Sequence, residues 1–143
     1  MSPETAGSGF PQKEKLKSRK AIQALFEQGS SFVRLPFKMI YLFHKPEGDP
    51  PLVRFSVSVP KRSFPKAHDR NTIKRKIREV YRLQKFPLLQ SCQSKMIGLD
   101  MMWVYVGKTE LEYSILHAAA TKIIEKTLAL VEKNQGSGPK RKK

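Results

Sequence analysis

The stretch VRFSVSVPKRSFPKAHDRNTIKRKIREVYRLQK, Val53–Lys85, holds the two periods from which the fold can be read. Its first seven residues alternate: Val53, Phe55, Val57 and Val59 point one way, Arg54, Ser56 and Ser58 the other, as in a strand with one buried face. Past Pro60 and Pro65 the period changes. At about 100° per residue, Ile73, Ile77 and Val80 gather on one arc, which predicts a helix from Asp69, as its cap, to about Lys85, closed by Pro87. Asn71, Lys74, Arg75, Arg78, Arg82 and Lys85 fall on the adjoining arc, with Arg70 at its edge.

Working outward, Ser18 is placed to cap a helix over Arg19–Gln28, with Ile22, Leu25 and Phe26 on one face and Gly29 as its stop. Phe37–His44 is rich in strand formers and ends in a loop marked by Pro46, Gly48, Pro50 and Pro51. Leu88–Gly98 reads as a loop, Asp100–Val106 as a second clear strand, and Glu112–Lys133 as a long helix. The predicted fold class is α+β, helices packed on a mixed β-sheet in the order α-β-β-β-α-β-α. At 143 residues the chain fits one domain, expected over 13–134. Residues 1–12 read as a disordered lead and 135–143 as a flexible basic tail.

Charge narrows the function classes. With 28 Lys+Arg against 12 Asp+Glu the formal charge is +16, and a single cysteine, Cys92, excludes an internal disulfide. Lys61–Phe86 carries ten basic residues against Asp69 and Glu79, a formal +8, half the total. An ordinary wet helix face mixes signs and gains from pairs four residues apart; crowding one sign is repaid by a polyanion. The longest apolar run is only Met101–Val106, too short for a membrane span, and no secretory signal precedes it. The expectation is a soluble intracellular protein with an RNA partner and no membrane partner. His44, His68 and His117 show no metal-ligand spacing, and no nucleophilic triad or paired-carboxylate cluster stands out, so no catalytic or metal-binding residue is assigned.

Phe64–Arg78, FPKAHDRNTIKRKIR, resembles the signature of the bacterial ribonuclease P protein subunit, an Arg-Asn-Arg core followed by an apolar residue, Lys-Arg and a further basic position. Lys15–Ser31, Val53–Arg62 and Asp100–Lys108 with the helix after it extend the likeness across most of the chain. Two positions depart: Thr72 stands where the family usually has its second arginine, and Ile22 where many members have an aromatic.

The resemblance implies a left-handed β-α-β crossover, against the usual handedness of such connections. It implies a cytoplasmic accessory subunit, bound one-to-one to a catalytic RNA that removes the 5′ leader of precursor tRNA. The Mg²⁺ it needs would be held by that RNA, with no cofactor on the protein. Lys61, Arg62, Lys66, Arg70, Asn71, Lys74, Arg75, Arg78 and Arg82 would bind the catalytic RNA. Ile22, Phe26, Tyr41, Ser56, Ser58, Trp103 and Tyr105 would line a cleft for the single-stranded leader, although Trp103 suits a core equally well. The competing expectation is a structural, ribosomal-type RNA-binding protein with no part in cleavage.

Overall fold

Eight elements follow one another in the computed structural model, which describes residues 14–48 and 51–134. They are α1 (Arg19–Gln28), β1 (Ser30–Arg34), β2 (Phe37–His44), β3 (Val53–Ser58), α2 (Ala67–Gln84), α3 (Phe86–Lys95), β4 (Gly98–Tyr105) and α4 (Tyr113–Asn134). The expected lead and tail, 1–12 and 135–143, lie outside the described residues.

The strands form one mixed sheet in the order β1-β2-β4-β3. β1, β2 and β4 pair antiparallel, with Met39 opposite Trp103 and Ile40 opposite Met102. β3 lies parallel to β4, Ser56 beside Met102 and Ser58 beside Val104. Two parallel neighbours cannot be joined by a tight turn, so α2 and α3 make the crossover between them.

Alternation sorts the side chains onto two faces. Phe37, Met39, Phe43, Val53, Phe55, Val57, Met101, Trp103 and Tyr105 face α2, α3 and α4 and form the main core with Ile73, Ile77, Val80, Tyr81, Leu88, Leu116, Ile123 and Val131. Trp103 is its hub, with the rings of Phe37, Phe55 and Tyr81 centred 5.2–5.5 Å away. Phe55 stacks flat on Tyr81 at 4.1 Å. The other face is covered only in part. There Leu16 and Leu25 pack on Ile40 and Met102, with Ile22, Leu42 and Val104 half-buried around them.

Three sequence expectations change. The helix expected from an Asp69 cap starts earlier: Lys66 is the cap residue, without a side-chain cap bond, and Asp69 sits in the first turn, where its charge opposes the positive helix end. The expected loop Leu88–Gly98 is largely helix α3. Pro87 does not end a helix there; it stands in the first turn of a new one, where its missing N–H has no intrahelical partner to lose. The first of the three strands expected before α2 falls on Ser30–Arg34, an edge strand whose exposed residues give no alternating signal.

Candidate nucleic-acid interface

α2 is anchored by Ile73, Ile77, Val80 and Tyr81, all buried, and this fixes which of its residues meet solvent. Asn71, Arg75 and Arg78 are exposed and Lys74 half-buried. Positions 71, 74, 75 and 78 follow the i, i+3, i+4, i+7 spacing, so the four side chains share one face. Lys61 and Arg62, on the turn after β3, and Lys66, at the helix entrance, are also exposed. Among the described residues, Lys61, Arg62, Lys66, Lys74, Arg75 and Arg78 form no ion pair. Like charges four apart, as at Lys74 and Arg78, each cost roughly 0.2–0.5 kcal/mol in an isolated helix, and nothing nearby offsets it.

The remaining predicted residues of this set have partners. Arg70 donates from Nη1 to the carbonyls of Phe64 and Pro65, both at 2.9 Å, and so ties down the turn that launches α2. Arg82 bonds Glu79 through Nε at 3.1 Å and Nη2 at 2.7 Å. Lys76 pairs with Glu110, and Lys85 with Glu14. Thr72, at the position where a second arginine was expected, donates to the His68 carbonyl at 3.0 Å. The free charge of α2 is thereby concentrated on Lys74, Arg75 and Arg78.

The expected cleft divides between the two faces of the sheet. Ser56 and Ser58 stand on the thinly covered face with α1, where Ile22 is half-buried and Phe26 is 58% exposed. Tyr41, Trp103 and Tyr105 do not join them. Trp103 and Tyr105 are fully buried in the main core, and the Tyr105 hydroxyl donates to the Thr109 carbonyl at 2.6 Å. Tyr41 packs at the margin of that same core against Phe32 and Phe43. The reason is parity: Met102 and Val104, not Trp103 and Tyr105, share a face with Ser56 and Ser58.

The reading of Phe37–His44 as a plain strand missed Lys38, which is exposed opposite Val104 and extends the row Lys38–Val104–Ser58 across the uncovered sheet. Its signal was available, because Lys38 is the polar break between Phe37 and Met39. Also missed was the bonded set at the other end of that face, where Asp100 is 3% exposed. It accepts from Arg54 Nε at 2.8 Å, Arg54 Nη2 at 3.1 Å and His44 Nε2 at 3.2 Å. No group of three or more His, Cys, Asp or Glu is placed to hold a metal ion among the described residues. None of the described helices is long and apolar enough to cross a membrane.

A parallel β-α-β crossover carrying an unneutralised basic helix on one side, with a partly bare sheet on the other, defines a class of small α+β proteins built to meet a polyanion. The chain belongs to the ribonuclease P protein family: the Ribonuclease P profile matches residues 10–128. It is 32% identical over 124 residues to the ribonuclease P protein component of Porphyromonas gingivalis strain W83, covering 85% of this chain and 86% of the relative. With that of Petrotoga mobilis it shares 32% over 129 residues, 89% of this chain and 96% of the relative. The RNase P protein structure from Staphylococcus aureus superposes with a TM-score of 0.61 at 20% identity, covering 80% of this chain and 94% of that one. That from Thermotoga maritima gives 0.59 at 21%, covering 79% and 96%. The chain is therefore a protein component of an endoribonuclease, and its partner in that ribonucleoprotein is RNA.

Proposed function

We propose that this chain is the accessory subunit of ribonuclease P, binding the catalytic RNA through α2 and the 5′ leader of precursor tRNA on the thinly covered sheet face. One observation carries the reading: Lys74, Arg75 and Arg78 share a helix face with Asn71 and have no acidic partner among the described residues. Such a face costs stability in the free protein, and RNA phosphates supply the missing counter-charge. Lys61, Arg62 and Lys66 continue the charge along the β3–α2 connection, and Asn71 can both donate and accept at a sugar or base edge.

On the far face, Lys38, Ser56, Ser58 and Val104 form a shallow floor beside Ile22 and the exposed Phe26 ring. Unpaired bases stack on such a ring at roughly 1–3 kcal/mol each. The protein supplies orientation and positive charge. Mg²⁺ belongs to the RNA in this reading, since the described donors do not assemble into a site for it. Screening by the protein lowers the Mg²⁺ that the paired RNAs need. One subunit per catalytic RNA, working in the cytoplasm, completes the proposal.

The test is cleavage of 5′-labelled precursor tRNA at low Mg²⁺ by cognate RNA alone, protein alone and the two together. Activity only from the mixture is expected. Tight, salt-sensitive RNA binding without stimulation would replace this function with a structural RNA-binding one. In the mixture, Arg75→Ala with Arg78→Ala should weaken assembly and reduce the log–log salt slope by about 0.9 for every duplex phosphate that is no longer neutralised.

A further inference from the structure

Helix α1 is charged against its own dipole at both ends. Arg19 and Lys20 occupy its first turn, which holds no acidic residue, and Glu27 occupies the last, which holds no basic one. Aligned peptide dipoles make the first turn positive and the last negative, so both placements are unfavourable. Lys15 and Lys17, just before the helix, add two more cations within six residues. Lys15, Lys17, Arg19 and Lys20 are all exposed and make no ion pair among the described residues. The neighbouring acid, Glu14, is taken by Lys85.

The fold gives this strip a definite place. Lys15 bridges Phe55, and the Leu16 N–H donates to the Phe55 carbonyl at 3.0 Å, so the segment lies along the outer edge of β3. Leu16 then turns into the cluster under α1 on the thinly covered face. The four cations thus border that face on the side of Ser56 and Ser58.

We infer that Lys15, Lys17, Arg19 and Lys20 form a second phosphate-binding strip, separate from α2, that takes the backbone of an unpaired RNA strand where it leaves the Ser56–Ser58 floor over the edge of β3. The strip rests on the leader reading above and adds to it where the strand exits. Its chemistry is that of phosphate neutralisation without base readout, because it offers cations and no aromatic ring.

The experiment uses the full chain assembled with the cognate catalytic RNA and a series of precursor tRNAs with progressively longer leaders. Lys15→Gln, Lys17→Gln, Arg19→Gln and Lys20→Gln are combined. Wild type should gain affinity as the leader lengthens; the variant should lose the gain from the longer leaders, about tenfold, while short-leader substrates bind as before. Its salt slope for long leaders should be shallower by about 0.7 for each single-strand phosphate left without its cation. Its melting temperature should be unchanged or higher, since unfavourable charge has been removed. Full retention of the leader gain by the variant overturns the strip alone. Equal loss with every leader overturns it too, by moving the strip's ligand to mature tRNA or catalytic RNA. No gain in wild type removes the leader reading and the strip with it. If the quadruple variant does not fold, Lys15→Gln with Lys17→Gln, outside the helix, applies the same criteria.

Discussion

Both ring nitrogens of His44 face acceptors: Nδ1 lies 2.8 Å from the Lys45 carbonyl and Nε2 3.2 Å from the Asp100 carboxylate. A neutral imidazole donates from one nitrogen only, so this geometry suits the charged ring. Burial opposes that charge, but the bonds to Asp100 and Lys45 outweigh it and His44 titrates above its ordinary value. Burial likewise opposes the Asp100 carboxylate; His44 and Arg54 outweigh it and hold the acid below its usual range. The ring sits over Gly98, where any Cβ would approach its Cε1 to 2.4 Å. The signs follow. His44 stabilises the fold fully below its unfolded pKa of about 6.5, and that contribution fades as pH rises through the raised folded value. Asp100 contributes above its unfolded value of about 3.9 and fades as pH falls through the lowered one. Denaturant unfolding across pH should show His44→Gln flattening the alkaline limb alone. Asp100→Asn should flatten both and cost about 3 kcal/mol, because it leaves Arg54 and His44 charges short of their partner. Asp100 was legible only as a strand residue, since its two partners lie 46 and 56 positions away in sequence.

At the scale of elements, α1 depends on a cap that was readable from its first residue. Ser18 Oγ accepts from the Ala21 N–H at 3.2 Å, and Ser18→Ala should cost about 1 kcal/mol in equilibrium unfolding while leaving RNA-binding salt slopes unchanged. A change in slope would mean that Ser18 also meets the ligand. Elements with one strong period were legible: β3 by its alternation, α2 by Ile73, Ile77 and Val80. α3 was not, because a proline inside the first turn and a proline after a helix look alike along the chain. Its end at Met96 is set by a left-handed backbone, φ 57°, whose N–H returns to carbonyls of Cys92 and Gln93; the usual glycine marker is missing. β1 escaped because an edge strand need not alternate in burial.

Across the whole molecule, the binding face is decided by which side of the sheet each helix covers. Trp103, the single tryptophan, reports on this directly. Set in the core among Phe37, Phe55 and Tyr81, its emission should resist iodide quenching and stay unchanged when a leader oligonucleotide binds. Quenching by the oligonucleotide would return it to the cleft. Trp103→Ala should cost about 3–5 kcal/mol through the cavity left behind. The amino-acid order alone determined the α+β class, the strand at Val53–Ser58, the capped first helix and the basic face of α2, because each is a local period or a local charge density. Tertiary structure alone decided that Trp103 and Tyr105 turn away from Ser56 and Ser58, and that Arg70 holds a turn rather than standing free. It also brought Lys15–Lys20 to the edge of β3. The physical reason is that alternation splits a strand into two faces without saying which is covered, and only the packing of α2, α3 and α4 on one side makes that choice.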